Sequence, residues 1–240
     1  MATNITQPKI PAAGIVPVIG IPPLETGDVL SRDEFERRYQ AMPGVKAELV
    51  EGVVYVASPV RHDWHARPHL HLSGWLATYM WDTPGTDGGD NGTLRLDLKN
   101  EPQPDLMLFI EPACGGHVKL ENGYVQGAPD LVLEVAASSV SIDLNGKLRS
   151  YHRNQVREYL VWRVNDQAVD WFCLEDSEFV RMQPDEQGIL RSKGLPGLWL
   201  NAPALVQLDM KPVIACLRAG LADPSHQEFV AQLAARRSKA

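Results

Sequence analysis

Cysteine is scarce: the 240 residues hold three, Cys114, Cys173 and Cys216, widely separated and odd in number. A disulfide framework and a CxxC metal knuckle are therefore excluded, and a reducing cytoplasm is the compartment that fits. Positive charge is the minority sign, with 23 Lys plus Arg against 30 Asp plus Glu, a net charge of −7 and a pI near 5.5. That excludes a generic nucleic-acid coat, whose affinity comes from neutralising phosphates over a basic face, so any polyanion site must be local. Long apolar runs are missing too. The apolar stretch 10–23 is too short for a bilayer span and is broken by Pro11, Pro17, Pro22 and Pro23, so no membrane association is expected. It also lacks the basic flank and small-residue cleavage pattern of a signal peptide, so residues 1–27 read as an extended arm, one that could pack on a partner subunit in a homodimer. P-loop, GxGxxG, GxSxG and HExxH patterns do not occur, which removes the common nucleotide, hydrolase and zincin signatures.

What remains is an ordinary globular composition, 44% hydrophobic and 22% charged, long enough to bury a sizeable core without staples. Ser31 and Glu34 make a capping box ahead of Phe35 and Tyr39, predicting a helix from Arg32 to about Ala41. Lys46 to Val50 and Val53 to Ala57 read as a hairpin about Glu51-Gly52. Pro68 opens a helix whose Leu72, Trp75, Leu76, Tyr79 and Met80 form an apolar stripe. Gly85 to Gly92 reads as a loop, whose Gly88-Gly89-Asp90-Asn91-Gly92 run could approach a phosphate backbone or be a plain turn, followed by strands at Thr93 to Leu98 and Leu106 to Ile110. Asn122-Gly123 marks a second hairpin, and Leu131 to Ala136 a further strand. A helix carrying Val140, Leu144, Leu148 and Tyr151 then leads to a strand at Glu158 to Val164, a crossover unit. A hairpin at 168–182 and two helices starting near Pro212 and Ser225 complete an α/β (α+β) pattern with a mixed sheet. The expected division is an arm at 1–27, one domain at 28–210 and a helical extension at 211–240. Trp162 and Trp171 are read as core.

Two carboxylates interrupt apolar strands: Asp105, after Pro104, and Glu134, inside Leu131 to Val135. By two-residue alternation Glu134 faces away from Leu131, Leu133 and Val135, towards a side that is also covered, so it needs a partner. Acids on adjacent strands could share Mg²⁺, which takes oxygen ligands and keeps several waters, or they could form buried salt bridges. Lys147 borders the stripe of the next helix and could reach the strand ends. From Ser141 to Arg163 the chain carries Lys147, Arg149, Arg153, Arg157 and Arg163 against Asp143 and Glu158, a local balance of +3. This stretch reads as a polyanion surface or as a solvated basic helix face. His62, His65, His69 and His71 crowd ten residues, but Pro68 breaks the helical spacing of His65 and His69 and no cysteine completes a zinc site. Surface or DNA-facing histidines are expected instead.

The ordered series Glu48-Leu49-Val50-Glu51-Gly52, Ser58-Pro59, Gln103-Pro104-Asp105, Gly127 to Val135, Lys147 with Tyr151, and Val156 to Trp162 resembles the Uma-type restriction-endonuclease family. The resemblance runs from about Ser31 to Val164. It implies the PD-(D/E)XK nuclease superfamily and its restriction-endonuclease-like core, a central mixed sheet with helices on each side. Asp105 then corresponds to the acid of the PD element and Glu134 to the second acid. Ala136 stands where the superfamily signature has lysine, and Lys147 matches a variant in which the lysine has moved to the following helix. Glu48 corresponds to a further acid joining the metal site from the first hairpin.

The resemblance implies a Mg²⁺-dependent endonuclease acting on DNA, with Mn²⁺ able to substitute. Asp105, Glu134 and the backbone carbonyl of Val135 would hold the metal, Lys147 would orient the nucleophile, and Arg149, Arg153 and Arg157 would meet the DNA backbone. The alternatives are a non-catalytic module binding nucleic acid or protein on the same fold, and a metallohydrolase of small phosphoesters.

Overall fold

The computed structural model describes residues 20–57 and 61–238. Most of the expected N-terminal arm and the Ser58-Pro59 motif lie outside the described residues. Helix α1 (Arg32–Gln40) starts where Ser31 Oγ accepts from the Glu34 N–H, while the Glu34 carboxylate turns instead to Arg37 and Arg38. Strands β1 (Ala47–Val50) and β2 (Val53–Val56) pair antiparallel about Glu51 and Gly52, both at positive φ (55° and 78°). Such a turn matches the twist of the strands it joins. Helix α2 (Arg67–Trp81) buries Pro68, Leu72, Trp75, Leu76 and Tyr79.

Two stretches differ from the sequence expectation. The expected loop at Gly85 to Gly92 contains strand β3 (Thr86–Asp90). A Cβ on Gly88 would lie 2.5 Å from the Met107 carbonyl oxygen, so glycine lets this strand lie close against its neighbour. The run Thr93 to Leu98 forms only β4 (Leu94–Arg95), because the Asp97 carboxylate accepts from Lys99 N and Asn100 Nδ2 and turns the chain.

Strands β5 (Leu106–Ile110), β6 (Lys119–Glu121), β7 (Tyr124–Gln126) and β8 (Leu131–Ala136) follow. A π-helical turn, Ile142–Lys147, runs into α3 (Leu148–Arg153) and then β9 (Glu158–Arg163). After β10 (Ala168–Glu175) and β11 (Glu178–Arg181) come β12 (Ile189–Arg191), β13 (Trp199–Asn201) and α4 (Ala202–Val206), three short elements not anticipated from the sequence. Helices α5 (Met210–Leu221) and α6 (Pro224–Arg237) end the described chain. No helix among the described residues is long and apolar enough to cross a membrane.

The central sheet has the order β11-β10-β9-β8-β5-β3. Its β8–β9 pair is parallel, joined through α3, and its other pairs are antiparallel. Strands β5, β8 and β9 are buried on both faces. Leu106, Leu108, Leu131, Leu133, Leu160 and Trp162 face α2 and the C-terminal helices, in a core that includes Val213, Leu217, Phe229 and Leu233. Residues 211–238 thus share the main core, and Trp75 Nε1 and Tyr79 Oη anchor α2 on the preceding segment by donating to the Trp199 and Pro196 carbonyls at 3.0 Å. Val132, Ala136, Tyr159 and Val161 face the other way, against Tyr151 of α3 and Leu94 of the small β4-β7-β6 sheet. This second face includes Glu134.

A candidate active site at the end of strands 5 and 8

The antiparallel register pairs Leu106 with Leu133 and Met107 with Val132. One step further along that register sets Asp105 across from Glu134, on the face away from α2. Asp105 is fixed through both oxygens: Oδ2 accepts from Val135 N at 2.7 Å, and Oδ1 lies 3.1 Å from His65 Nε2. Burial alone would raise its pKa, but the His65 contact, the Val135 N–H and Lys147 outweigh burial and hold it below the usual carboxylate range.

Glu134 is buried, and its Oε1 accepts from Lys147 Nζ at 2.9 Å and from Tyr151 Oη at 3.1 Å. Lys147 also lies 3.0 Å from Glu48 Oε2 and 3.7 Å from Asp143 Oδ1. The wider π turn delivers it there. Gly146 permits the close approach of β1, since a Cβ on it would meet Val50 Cγ1 at 3.3 Å. Glu48 is tied to the strand entry as well, accepting from Gln103 N at 3.2 Å. Asp105, Glu134, Val135, Lys147 and Glu48 therefore line one cleft of about 1180 Å³.

The cluster holds more negative than positive charge, four carboxylates around one ammonium. Burial, together with neighbouring Asp143, Asp105 and Glu48, drives the Glu134 carboxyl well above its ordinary range despite Lys147. Burial likewise pushes Asp143 up to about 6. Burial opposes the charge on Lys147, yet Glu134 and Glu48 overcome it and keep the ammonium protonated. Burial and crowding thus favour a proton on Glu134 and on Asp143, which an incoming cation can replace. Among the described residues no three His, Cys, Asp or Glu side chains form a ready-made metal cage. Mg²⁺ does not need one, because it is held by one or two carboxylates and keeps several waters. The hard oxygens of Asp105 and Glu134, side by side on an electron-rich cleft wall, fit that mode of binding.

A family model described as "Putative restriction endonuclease" matches residues 32–203, most of the chain and all five of these residues. The chain belongs to the Uma2 family. A crystal structure described as "a putative nuclease belonging to DUF820", from Anabaena variabilis, is similar at 13% identity with a TM-score of 0.50, over 82% of this chain and 97% of that one. At that identity the likeness concerns the fold, which is the restriction-endonuclease-like mixed sheet flanked by helices. The curated proteins give no match.

The Uma2 chain brings together two histidines whose spacing Pro68 is expected to break. Pro68 does not separate His65 from His69: a π turn, His62–Ala66, runs into α2, and proline falls in its first turn, where its missing N–H costs little. The two rings stack at 5.7 Å, and His69 Nε2 donates to the Asp105 carbonyl at 3.1 Å. Their four-residue spacing was the available signal. Among the arginines expected to meet DNA, Arg153 is bound to Glu51 at 2.5 Å and Asp97 at 3.3 Å, and Arg157 to buried Asp130 at 2.9 Å. Arg149 is exposed, and none of the three lines the cleft.

Proposed function

We propose that this Uma2 protein is a Mg²⁺-dependent endonuclease that hydrolyses DNA phosphodiester bonds in the cleft between β1, β5, β8 and α3. The observation that carries this reading is the meeting of Asp105, Glu134 and Lys147, from two strands and a helix, in one cleft with surplus carboxylate. Asp105 and Glu134, with the Val135 carbonyl, would hold the cation. A divalent cation bound there supplies charge stabilisation to the phosphoryl group and lowers the pKa of a water.

The chain's own groups do the rest. Val135 N–H and His65 fix the Asp105 carboxylate, so little rotamer freedom is lost when it takes a ligand. Tyr151 and Lys147 engage one oxygen of Glu134 and thereby set the plane of its carboxylate. The Lys147 ammonium, held by Glu48, stands beside the acids where it can orient the attacking water and offset charge on the phosphoryl oxygens. Water attacks phosphorus as the bond to the leaving sugar oxygen breaks. Supercoiled plasmid, incubated with Mg²⁺ or Mn²⁺, tests the reading: Asp105→Ala and Glu134→Ala should each abolish nicking while the circular dichroism spectrum is kept. Nicking at the native rate by either variant would remove the proposed site.

A further inference from the structure

The mouth of the cleft holds a feature that metal-dependent cleavage leaves unused. Trp64 is 49% exposed, yet it lines the cleft, and the Arg61 guanidinium lies over its ring at 4.9 Å from the centroid. The next residue, His65, touches Asp105, so Trp64 adjoins in sequence a residue that contacts one of the proposed metal-binding acids. Tyr55 lines the same cleft.

The charge in the cleft argues against a long run of duplex backbone. Its lining cations are Lys46, Arg61 and Lys147, set against Glu48, Asp105 and Glu134, and Lys147 is committed to two of those acids. Elsewhere Arg153, Arg157 and Arg163 are tied to Glu51, Asp130 and Asp170. Among the described residues two cations, Lys46 and Arg61, are left for phosphates at this cleft, too few for counterion release to drive tight duplex binding. An exposed indole with a guanidinium stacked on it offers the other source of affinity, stacking on a base whose face is open.

Building on the nuclease reading, we propose that Trp64 and Arg61 form a stacking platform for an unpaired base beside the scissile phosphate, and that the substrate is single-stranded or locally opened DNA. In a paired duplex the base faces are covered by their neighbours and cannot reach an indole on the cleft rim.

The test is fluorescence anisotropy of a labelled DNA strand of about 20 nucleotides, alone and annealed to its complement, in EDTA so that cleavage does not intervene. The single strand should bind more tightly than the duplex. Trp64→Ala should weaken single-strand binding by about 5- to 150-fold, Trp64→Phe should keep most of it, and duplex binding should not change. The single-strand affinity should fall with salt at a log–log slope of about −1.4, the value for two phosphate contacts, and Arg61→Ala should halve it. Thermal melting of each variant confirms folding, to which an exposed side chain contributes little. Equal or tighter binding of the duplex, or native single-strand affinity in Trp64→Ala, overturns the platform. The nuclease reading fails separately: if the native protein cuts no DNA with Mg²⁺ or Mn²⁺, cleavage is refuted, while the EDTA comparison still decides the stacking.

Discussion

Replacing Lys147 by Met keeps the length of the side chain and removes the charge that holds three carboxylates together. At an effective dielectric constant of about 20, each of its contacts with Glu134 at 2.9 Å and Glu48 at 3.0 Å carries about 5–6 kcal/mol of gross attraction. Much of this offsets the desolvation of a buried ammonium, and breaking such a pair from one side costs about 3–5 kcal/mol net. The cost should depend on pH in a definite direction. Glu134 and Asp143 already have raised pKa values, so they favour folding below their unfolded values and lose that contribution as pH rises through the folded ones. Without the ammonium these folded values rise further, and stability falls more steeply from about pH 5 to 8.

Urea denaturation at those two pH values measures this directly. Lys147→Met should cost about 3–5 kcal/mol at pH 8 and about 1–3 kcal/mol less at pH 5, where protons take the place of the ammonium. Adding Glu134→Gln should restore most of the stability at pH 8, since the double variant buries no unpaired charge between the two sites. Turnover behaves differently: it should drop about 10²-fold or more in Lys147→Met and stay low in the double variant, with metal affinity in Lys147→Met not reduced. An equal cost at both pH values, with no recovery in the double variant, would refute the reasoning and make Lys147 a packing residue.

Glu101 is buried beside Arg95, which it shares with Glu36, and burial followed by the Glu36 carboxyl pushes its pKa up to about 8. Its contribution is present below about pH 4.5 and is lost as pH rises through 8, so Glu101→Gln should gain stability relative to the native chain at pH 9 over pH 5, read from urea midpoints. Glu158→Ala should destabilise by several kcal/mol, about 1–3 kcal/mol for each buried donor left unpaired, with a matching fall in melting temperature. Arg157→Glu should cost about 1–3 kcal/mol by taking the cation from Oδ1 of buried Asp130, whose Oδ2 keeps the Ile110 N–H, whereas Arg149→Glu should leave the melting temperature unchanged; equal losses in both would contradict the pairing.

Much of the fold was legible because its signals are local. Leu131 to Ala136 and Glu158 to Arg163 are apolar runs of strand length, and the intervening helix makes them parallel neighbours by the ordinary logic of a crossover. Glu51-Gly52 and Asn122-Gly123 encode their turns in positive φ. Strand β3 was not legible, since Thr-Asp-Gly-Gly-Asp has none of the bulk that marks a strand. Its Gly88 answers to the Met107 carbonyl across the pair, a non-local contact. The short β12 and β13 depend likewise on burial of Leu190 and Leu200 in a core made mostly by residues distant in the chain.

At the site, sequence pattern alone could not separate two acids of the same kind. Glu134 lies inside one apolar strand and Glu158 opens the next, and both are buried. Glu158 Oε1 accepts from Ser192 Oγ, Lys193 N and Gly194 N, and its Oε2 from Trp171 Nε1, so each oxygen is engaged and the carboxylate anchors the 192–194 turn. Among the described residues Glu134 has donors on Oε1 alone, a lysine at the end of the π-helical turn and a tyrosine of α3, with three more carboxylates close by. An acid completed by backbone N–H groups has no capacity left for a ligand. One crowded by other acids is short of positive charge, and that deficit, rather than burial or strand position, is what sets Glu134 apart as a site for a cation.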